Sequence, residues 1–242
     1  MEKKKIRIPS EIIYVLAVVI LAFSVCLATA ADFGVSMIVA PAYILSIKFP
    51  ALTFGQWEYV TQGILFVIFC FIMRRFHWTY LVSFLTCLFY GAVLDLWRLI
   101  PIFNPNVTAP GSFDLWLRIV FFVVGILLTS FSIALFNRCY ISPQVVDMVP
   151  QGVCKKFNFK FAYVKYVFDG AYLALGLVLS LIFFGKIVGL SFGTAIMFVI
   201  NGFFISFLMK LLDKAFEFIP ALKGFAKQFE EKKEEASSEE KQ

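Results

Sequence analysis

Four polar side chains inside long apolar stretches are the residues of this sequence best placed to do chemistry. Lys165 and Asp169 lie in one such stretch, and Glu58 and Gln62 lie near the start of another. Both pairs are spaced i, i+4, so each pair lies on one face of a helix. Because a charge in an apolar environment is costly, such groups commonly bind a ligand, an ion or each other. Lys165 with Asp169 fits a helix-locking ion pair as well as a binding site, whereas Glu58 fits the structural role better.

A fifth candidate, Asp147, lies in a short apolar segment between two prolines. Ser142 and Pro143 predict a helix start there, because serine caps a helix and proline is accepted at its first position. Pro150 and Gly152 predict that this helix stops after roughly two turns, or ~10–15 Å. That length is too short to span a membrane.

An earlier segment, residues 36–49, mirrors this one and begins at Ser36. Two placements are open for both segments. Each is either a half-helix that re-enters the membrane, with Asp147 facing a cavity and free backbone groups at the helix ends, or a helix lying flat at the interface, with Asp147 in water. Asn201, in the last long apolar stretch, is a weaker candidate for the same cavity.

The composition places these residues in a membrane protein. The sequence is 61% hydrophobic and 16% charged, with a mean hydropathy of +0.86, whereas a soluble domain is about half apolar and a quarter charged. Its 31 Phe residues exceed what one soluble core buries, but a lipid bilayer accommodates them. The net charge of +6 comes largely from basic residues at the ends of apolar stretches, where membrane topology places them, so no nucleic-acid partner is indicated.

The sequence shows no metal site, cofactor site or catalytic set. The five Cys residues form no C-x-x-C pair, and His77 is the single histidine. Zinc and redox sites need such clusters. We therefore do not expect an enzyme, because no nucleophile and base are visibly paired.

Six apolar stretches predict six transmembrane helices, because about 20 residues are needed to cross the hydrocarbon core. They cover residues 12–31, 57–73, 80–97, 115–136, 161–184 and 190–209. A signal peptide cleaved after A-T-A at 28–30 is the alternative for the first, but about 20 apolar residues exceed the ~7–15 of a signal core. An eight-span alternative would place Arg74 and Arg75 outside and is disfavoured.

Basic residues orient these helices, because Lys and Arg concentrate in cytoplasmic loops. The residues expected inside are Lys3, Lys4, Lys5, Arg7, Arg74, Arg75, Arg138, Lys155, Lys156, Lys160, Lys210 and Lys214. We therefore predict a multi-pass protein of the bacterial cell membrane with both termini in the cytoplasm. The predicted regions are a cytoplasmic N-terminus (1–11), a first membrane repeat (12–97), an outer loop (98–114), a second membrane repeat (115–212), an amphipathic interfacial helix (213–229) and a disordered charged tail (230–242).

The two membrane regions repeat each other at an offset of 106 to 108 residues. The matches are Ser36 with Ser142, Tyr59-Val60 and Gly63 with Tyr166-Val167 and Gly170, and Ser83-Phe84-x-Thr86 with Ser191-Phe192-x-Thr194. Each half reads as a long helix, a short broken segment and two further helices. Because three spans per half is an odd number, the second half inserts upside down, which is the inverted arrangement common in secondary transporters.

The second half carries three motifs of a known family. They are I-S-P-Q-V-V-D-M-V at 141–149, Lys165-x-x-x-Asp169-Gly170, and G-L-S-F-G-T at 189–194. On these motifs the chain resembles the YczE/YitT-like family of bacterial integral membrane proteins, which are largely uncharacterised. In that family the short segment more often has Gly-x-x-Pro-Trp-Asp character, whereas Gln144 and Val145 follow Pro143 here. The resemblance implies membrane location and the repeat, and it implies no chemistry.

These observations together favour a transporter of a small solute or ion, with a site between the two all-α repeats near the bilayer midplane. The residues expected to form the site are Ser36, Glu58, Gln62, Ser142, Asp147, Lys165, Asp169 and Asn201. The alternative is a non-transporting membrane scaffold or accessory subunit that binds a lipid or a protein partner. A homo-oligomer is compatible with either function.

Overall fold

The computed structural model describes residues 6–74, 78–141 and 144–220 of the chain. Within these ranges the chain forms eight helices and two short strands. The helices are α1 (Ser10–Ala31), α2 (Ala40–Lys48), α3 (Phe54–Met73), α4 (Trp78–Trp97), α5 (Leu115–Phe136), α6 (Val145–Phe157), α7 (Phe161–Phe184) and α8 (Phe192–Ala215). The strands are β1 (Ile6–Pro9) and β2 (Phe216–Ile219). The predicted all-α fold class is confirmed.

Six of these helices are long and apolar enough to cross a membrane, namely α1, α3, α4, α5, α7 and α8. They correspond to the six predicted spans, so the protein is a polytopic membrane protein. Helices α2 and α6 have 9 and 13 residues, which corresponds to about 14 and 20 Å of helix. Neither reaches the roughly 30 Å of a hydrocarbon core. One short helix follows the first span of each half, as the sequence predicted.

Helices α1 and α5 form the centre of the bundle and run antiparallel. Near the N-terminal part of α1, the Ser132 hydroxyl donates to the Ala17 carbonyl at 2.6 Å. At the other end of α1, Arg118 Nε donates to the Ala31 carbonyl at 2.8 Å. These are the two most buried of the six spanning helices. The other spans pack around them, with α4 against α1 and α8 against α5.

The start of α3 is fixed both by its own residues and by α4. The Gln56 N–H donates to Thr53 Oγ1, and the Thr53 N–H donates to Gln56 Oε1, which satisfies two backbone donors of the first turn. Asp95 of α4 accepts from the Gly55 N–H at 2.9 Å. The two helices approach closely at this point, because a Cβ atom on Gly55 would lie 2.1 Å from the Gly91 carbonyl oxygen. This end of α3 is therefore held rigidly against α4.

The second short helix is longer than the two turns predicted from its sequence. It runs from Val145 to Phe157 with Pro150 in its interior, so the prediction that Pro150 ends the helix was wrong. Proline removes one intrahelical hydrogen bond, and the remaining bonds of the 13-residue helix persist. Ser142 and Pro143, predicted as its start, lie outside the described residues.

The region after α8 also differs from the prediction of an amphipathic helix over 213–229. Residues 213–215 complete α8, and Phe216–Ile219 form a strand parallel to Ile6–Pro9. The four residues of this strand, F-E-F-I, are too few for their apolar pattern to distinguish a helix from a strand. The rest of that predicted helix from residue 221, and the predicted tail over 230–242, lie outside the described residues.

Candidate functional site

A cavity of about 70 Å³ lies at the centre of the bundle, where elements of both halves meet. Its wall comprises residues of α1, α3, α4, α5, α6 and α8 together with the segment that precedes α2. Most of the wall is aliphatic, and its polar members are Ser36, Glu58, Tyr90, Thr129, Gln144 and Asp147. A cavity of this size has room for a few water molecules. Any ligand enclosed there is small.

The segment before α6 runs into the bundle, and the helix then returns toward the surface. At the start of α6, Gln144 contacts Gln62 in the middle of α3. Toward the end of α6, Lys156 donates to the Ile72 carbonyl in the last turn of α3. The N-terminal end of α6 is therefore its deep end, and it faces the cavity.

Helix α2 has the same arrangement in the first half. A Cβ atom on Gly176, in the middle of α7, would lie 3.5 Å from Ala40 Cβ at the start of α2. At the end of α2, Lys48 Nζ donates to the Phe183 carbonyl in the last turn of α7 at 3.1 Å. The N-terminal end of α2 is thus also the deep end. Residues 35, 36, 38 and 39, which precede it, line the cavity.

The two short helices therefore direct their N-terminal ends at one small space. The first backbone N–H groups of a helix lack intrahelical partners and carry a partial positive charge. In α6 the Gln144 carbonyl already accepts from the Asp147 and Met148 N–H groups, which fixes the first turn. In α2 the Ser36 carbonyl accepts from the Val39 and Ala40 N–H groups in the same way. Because these N–H groups are already bonded, the two helix ends contribute to the cavity mainly through their partial positive charge.

A chain of three buried side chains crosses from α3 to α6 at the cavity wall. Gln62 Nε2 donates to Glu58 Oε2 at 3.0 Å and to Gln144 Oε1 at 2.8 Å. Glu58 and Gln62 are each 2% exposed, and Gln144 is 5% exposed. Among the described residues, Glu58 Oε1, Gln62 Oε1 and Gln144 Nε2 have no hydrogen-bond partner. These three side chains therefore have unused donor and acceptor atoms at the edge of the cavity.

A second carboxyl group, Asp147, lies on the same wall beside an ion pair. Lys165 Nζ lies 2.9 Å from Asp169 Oδ1, one turn apart on α7. Burial raises the pKa of Asp147 above its ordinary value, the Lys165 charge opposes that rise and the Asp169 charge adds to it. Asp147 therefore lies within electrostatic range of both members of the pair.

The structure brings most of the predicted site residues together. Ser36, Glu58 and Asp147 line the cavity, Gln62 is hydrogen-bonded behind Glu58, and Lys165 with Asp169 is the ion pair within electrostatic range of Asp147. Asn201 lies apart, where its side chain accepts from the Ser130 hydroxyl at 3.0 Å between α5 and α8. Ser142 falls outside the described residues.

Three polar residues of the wall were not predicted from the sequence, namely Tyr90, Thr129 and Gln144. Thr129 Oγ1 donates to Ser24 Oγ at 2.9 Å between α5 and α1. Hydroxyl groups are common in transmembrane helices, so Thr129 and Tyr90 carried no distinguishing signal. Gln144 had one, because it lies between a predicted helix start and Asp147. Within the described ranges, no group of three His, Cys, Asp or Glu side chains is placed to hold a metal ion.

Comparison with known proteins identifies a family for this chain. Residues 8–210 match a family model whose description is "Family of unknown function (DUF6198)". No curated protein matches the chain. No solved structure matches it either. Because the match covers most of the sequence, from β1 to the last turns of α8, the chain belongs to the DUF6198 family.

Proposed function

We propose that this member of the DUF6198 family transports a small solute or ion across the membrane, with its binding site in the central cavity. The observation that carries the proposal is the position of that cavity. It lies between the deep ends of two short helices, one from each half, and its wall contains Glu58 and Asp147. Polar and ionisable groups at membrane depth are commonly functional. Transporters with broken helices bind their substrates at such helix ends.

Packing in the two halves supports an inverted repeat. Helix α1 packs against α4 as α5 packs against α8, and α2 packs against α3 as α6 packs against α7. Across the halves, α2 packs against α7 as α6 packs against α3. In each comparison, replacing α1, α2, α3 and α4 by α5, α6, α7 and α8, and the reverse, converts one contact into the other. A twofold relation between the halves produces such reciprocity.

The contact between α1 and α5 supports an axis in the membrane plane. The two helices occupy equivalent places in the halves and run antiparallel, whereas an axis along the membrane normal would make them parallel. Ser24 and Thr129 contact each other and are 105 residues apart, close to the repeat offset of 106 between Ser36 and Ser142. Contacts between positions so nearly equivalent in the two halves are expected near a twofold axis. The same layout agrees with the resemblance to YczE/YitT-like proteins.

The orientation of the proposed transporter follows from charge. Strand β1 pairs with β2, so the segments before α1 and after α8 lie at the same end of the bundle. Arg138 and Asp213 form an ion pair at that end. Because basic residues concentrate on the cytoplasmic side, we place this end in the cytoplasm and the 98–114 loop outside.

A scaffold or accessory subunit is the second candidate function, and the surface of α8 favours it. Helix α3 packs closely against α4, whereas α7 and α8 do not pack closely together within the described residues. Large apolar side chains of α8 are left uncovered, with Phe203 72% and Val199 73% exposed. A partner membrane protein or a second copy of the chain would cover this face, although lipid also suffices.

Solute flux in proteoliposomes separates the two functions. Purified protein is reconstituted and tested for uptake and efflux over a panel of small anions, cations and neutral solutes. We expect flux of at least one class, reduced at least tenfold in Asp147→Asn and unchanged in Asp114→Asn, which alters an exposed carboxylate at the start of α5. Absence of flux for every solute, with one stoichiometric partner recovered from membranes, would overturn transport and support the scaffold.

A further inference from the structure

One oxygen atom of the most enclosed carboxyl group in the cavity is unused. Glu58 is 2% exposed and lines the cavity. Its Oε2 atom accepts one hydrogen bond, from the neutral amide of Gln62. Its Oε1 atom has no hydrogen-bond partner among the described residues. The carboxyl group is therefore half satisfied.

The titratable groups around Glu58 do not supply a positive charge. Cys87 and Tyr90 on α4 and Tyr172 on α7 lie within electrostatic range of it. Asp147 on α6 shares its cavity. Within the described ranges, no Lys or Arg side chain is seen paired with Glu58.

A charge on Glu58 requires a positive partner that enters the cavity. An ionised carboxylate withdrawn from water and held by one neutral donor is strongly disfavoured. A dehydrated metal cation takes several oxygen ligands, whereas most of this cavity wall is aliphatic. A proton needs a single acceptor atom, and Glu58 Oε1 is that atom. Proton binding therefore fits the wall better than binding of a metal cation.

We propose that Glu58 is a proton-binding group of the cavity and that Asp147 exchanges its proton with solvent. Asp147 is suited to this role because its residue is more exposed than Glu58 and lies at the start of α6. A proton leaves the Asp147 carboxyl for a water molecule, and that water passes a proton to Glu58 Oε1. One O–H bond forms for each that breaks. The proton leaves Glu58 by the same steps in reverse order. The coupling of this proton to a solute rests on the proposed transport function, whereas protonation of Glu58 does not.

Infrared difference spectroscopy of the purified protein tests the proposal without knowledge of the solute. The C=O stretch of a protonated carboxyl group is separate from that of a carboxylate and shifts to lower frequency in D₂O. We expect a protonated band in the wild type at neutral pH that is lost reversibly at alkaline pH. Glu58→Gln removes the Glu58 contribution to this band, and Asp114→Asn leaves the band unchanged. Asp147→Asn retains the Glu58 contribution but slows its exchange with deuterium.

Two outcomes overturn the proposal. The first is a Glu58→Gln spectrum that matches the wild type at every pH. The second applies if Glu58→Gln does not yield a monodisperse protein. Glu58→Asp is then measured instead, and a protonated band at the wild-type frequency overturns the proposal. The infrared and flux results are separable: loss of the band without solute flux leaves the proton site standing and contradicts transport. Solute flux by the wild type, together with a Glu58→Gln band that is unchanged, supports transport and contradicts the proton site.

Discussion

Gln62 Nε2 donates to Gln144 Oε1 at 2.8 Å, and this bond joins the middle of α3 to the deep end of α6. The two residues are 82 positions apart in the sequence. The bond connects one half of the protein to the other at the wall of the central cavity. It therefore sets the depth at which α6 begins.

Loss of this bond lowers stability. Gln144→Ala leaves a donor of the buried Gln62 amide without its partner, which typically costs about 1–3 kcal/mol. For a chain of this size each kcal/mol lowers the melting temperature by about 2–4 °C. Thermal unfolding in detergent measures the change. Gln151→Ala, an exposed glutamine on the same helix, is the matched control, and an equal effect of both substitutions would contradict the role of the bond.

The ion pair on α7 offers a second prediction. The Lys165 and Asp169 side chains are 29% and 12% exposed, and removal of one partner from a buried pair is strongly destabilising. We expect Asp169→Asn to lower the melting temperature and Lys165→Met with Asp169→Leu to restore it. Asp213→Asn breaks the more exposed pair with Arg138 and has a smaller effect, because surface pairs contribute about 0–1 kcal/mol.

The same variants separate a structural from a functional role of the pair. If Asp169 serves the transported solute, Asp169→Asn folds nearly as well as the wild type and loses flux, and the double apolar variant also folds and is inactive. A stable and fully active Asp169→Asn protein would contradict both roles.

Stability should depend on pH through Asp147. Burial raises its pKa above the ordinary value of 3.8, so folding favours the protonated acid. This contribution to stability is complete below pH 3.8 and is lost as the pH rises through the folded-state pKa. We therefore expect Asp147→Asn to be more thermostable than the wild type at neutral pH and equal to it in acid. Melting temperatures measured across this range test the sign, and Asp114→Asn should keep the wild-type profile.

Labelling of single cysteines tests the orientation. In a background without the five native Cys residues, Asn106→Cys in the 98–114 loop should react with an impermeant reagent from outside the cell. Lys155→Cys near the end of α6, exposed in the structure, should react only after the membrane is permeabilised. Labelling of position 106 only from the cytoplasmic side would reverse the orientation.

The spans and their order were predictable, because each is a long apolar stretch whose ends are marked by polar or basic residues. Glu58, Asp147 and Ser36 were also accessible to sequence reasoning, since a carboxylate in an apolar stretch, or a serine before a proline-interrupted one, is a local signal. The structure brings all three to one cavity. Local patterns therefore picked out three residues that line one cavity, although they did not show what surrounds them.

The direction of the short helices was not predictable from local patterns. The sequence left open whether these helices re-enter the membrane or lie flat at its interface, whereas α6 begins deep in the bundle and returns toward the surface. That direction depends on Gln144 meeting Gln62, a contact between distant parts of the chain. The prediction that Pro150 ends the helix failed for a similar reason. Proline destabilises a helix locally, whereas Val145 and Val149 pack against Phe69, which is distant in the sequence.

The pairing of β1 with β2 has a consequence for the order of events during synthesis. Ile6 precedes all six spans in the chain, and its partner Phe216 follows them. The strand before α1 must remain unpaired while the intervening helices insert, and contacts between such distant residues form slowly. We therefore expect the closure of this end of the bundle to be a late step of assembly. A chain that stops before residue 216 can insert its helices but cannot join its two ends.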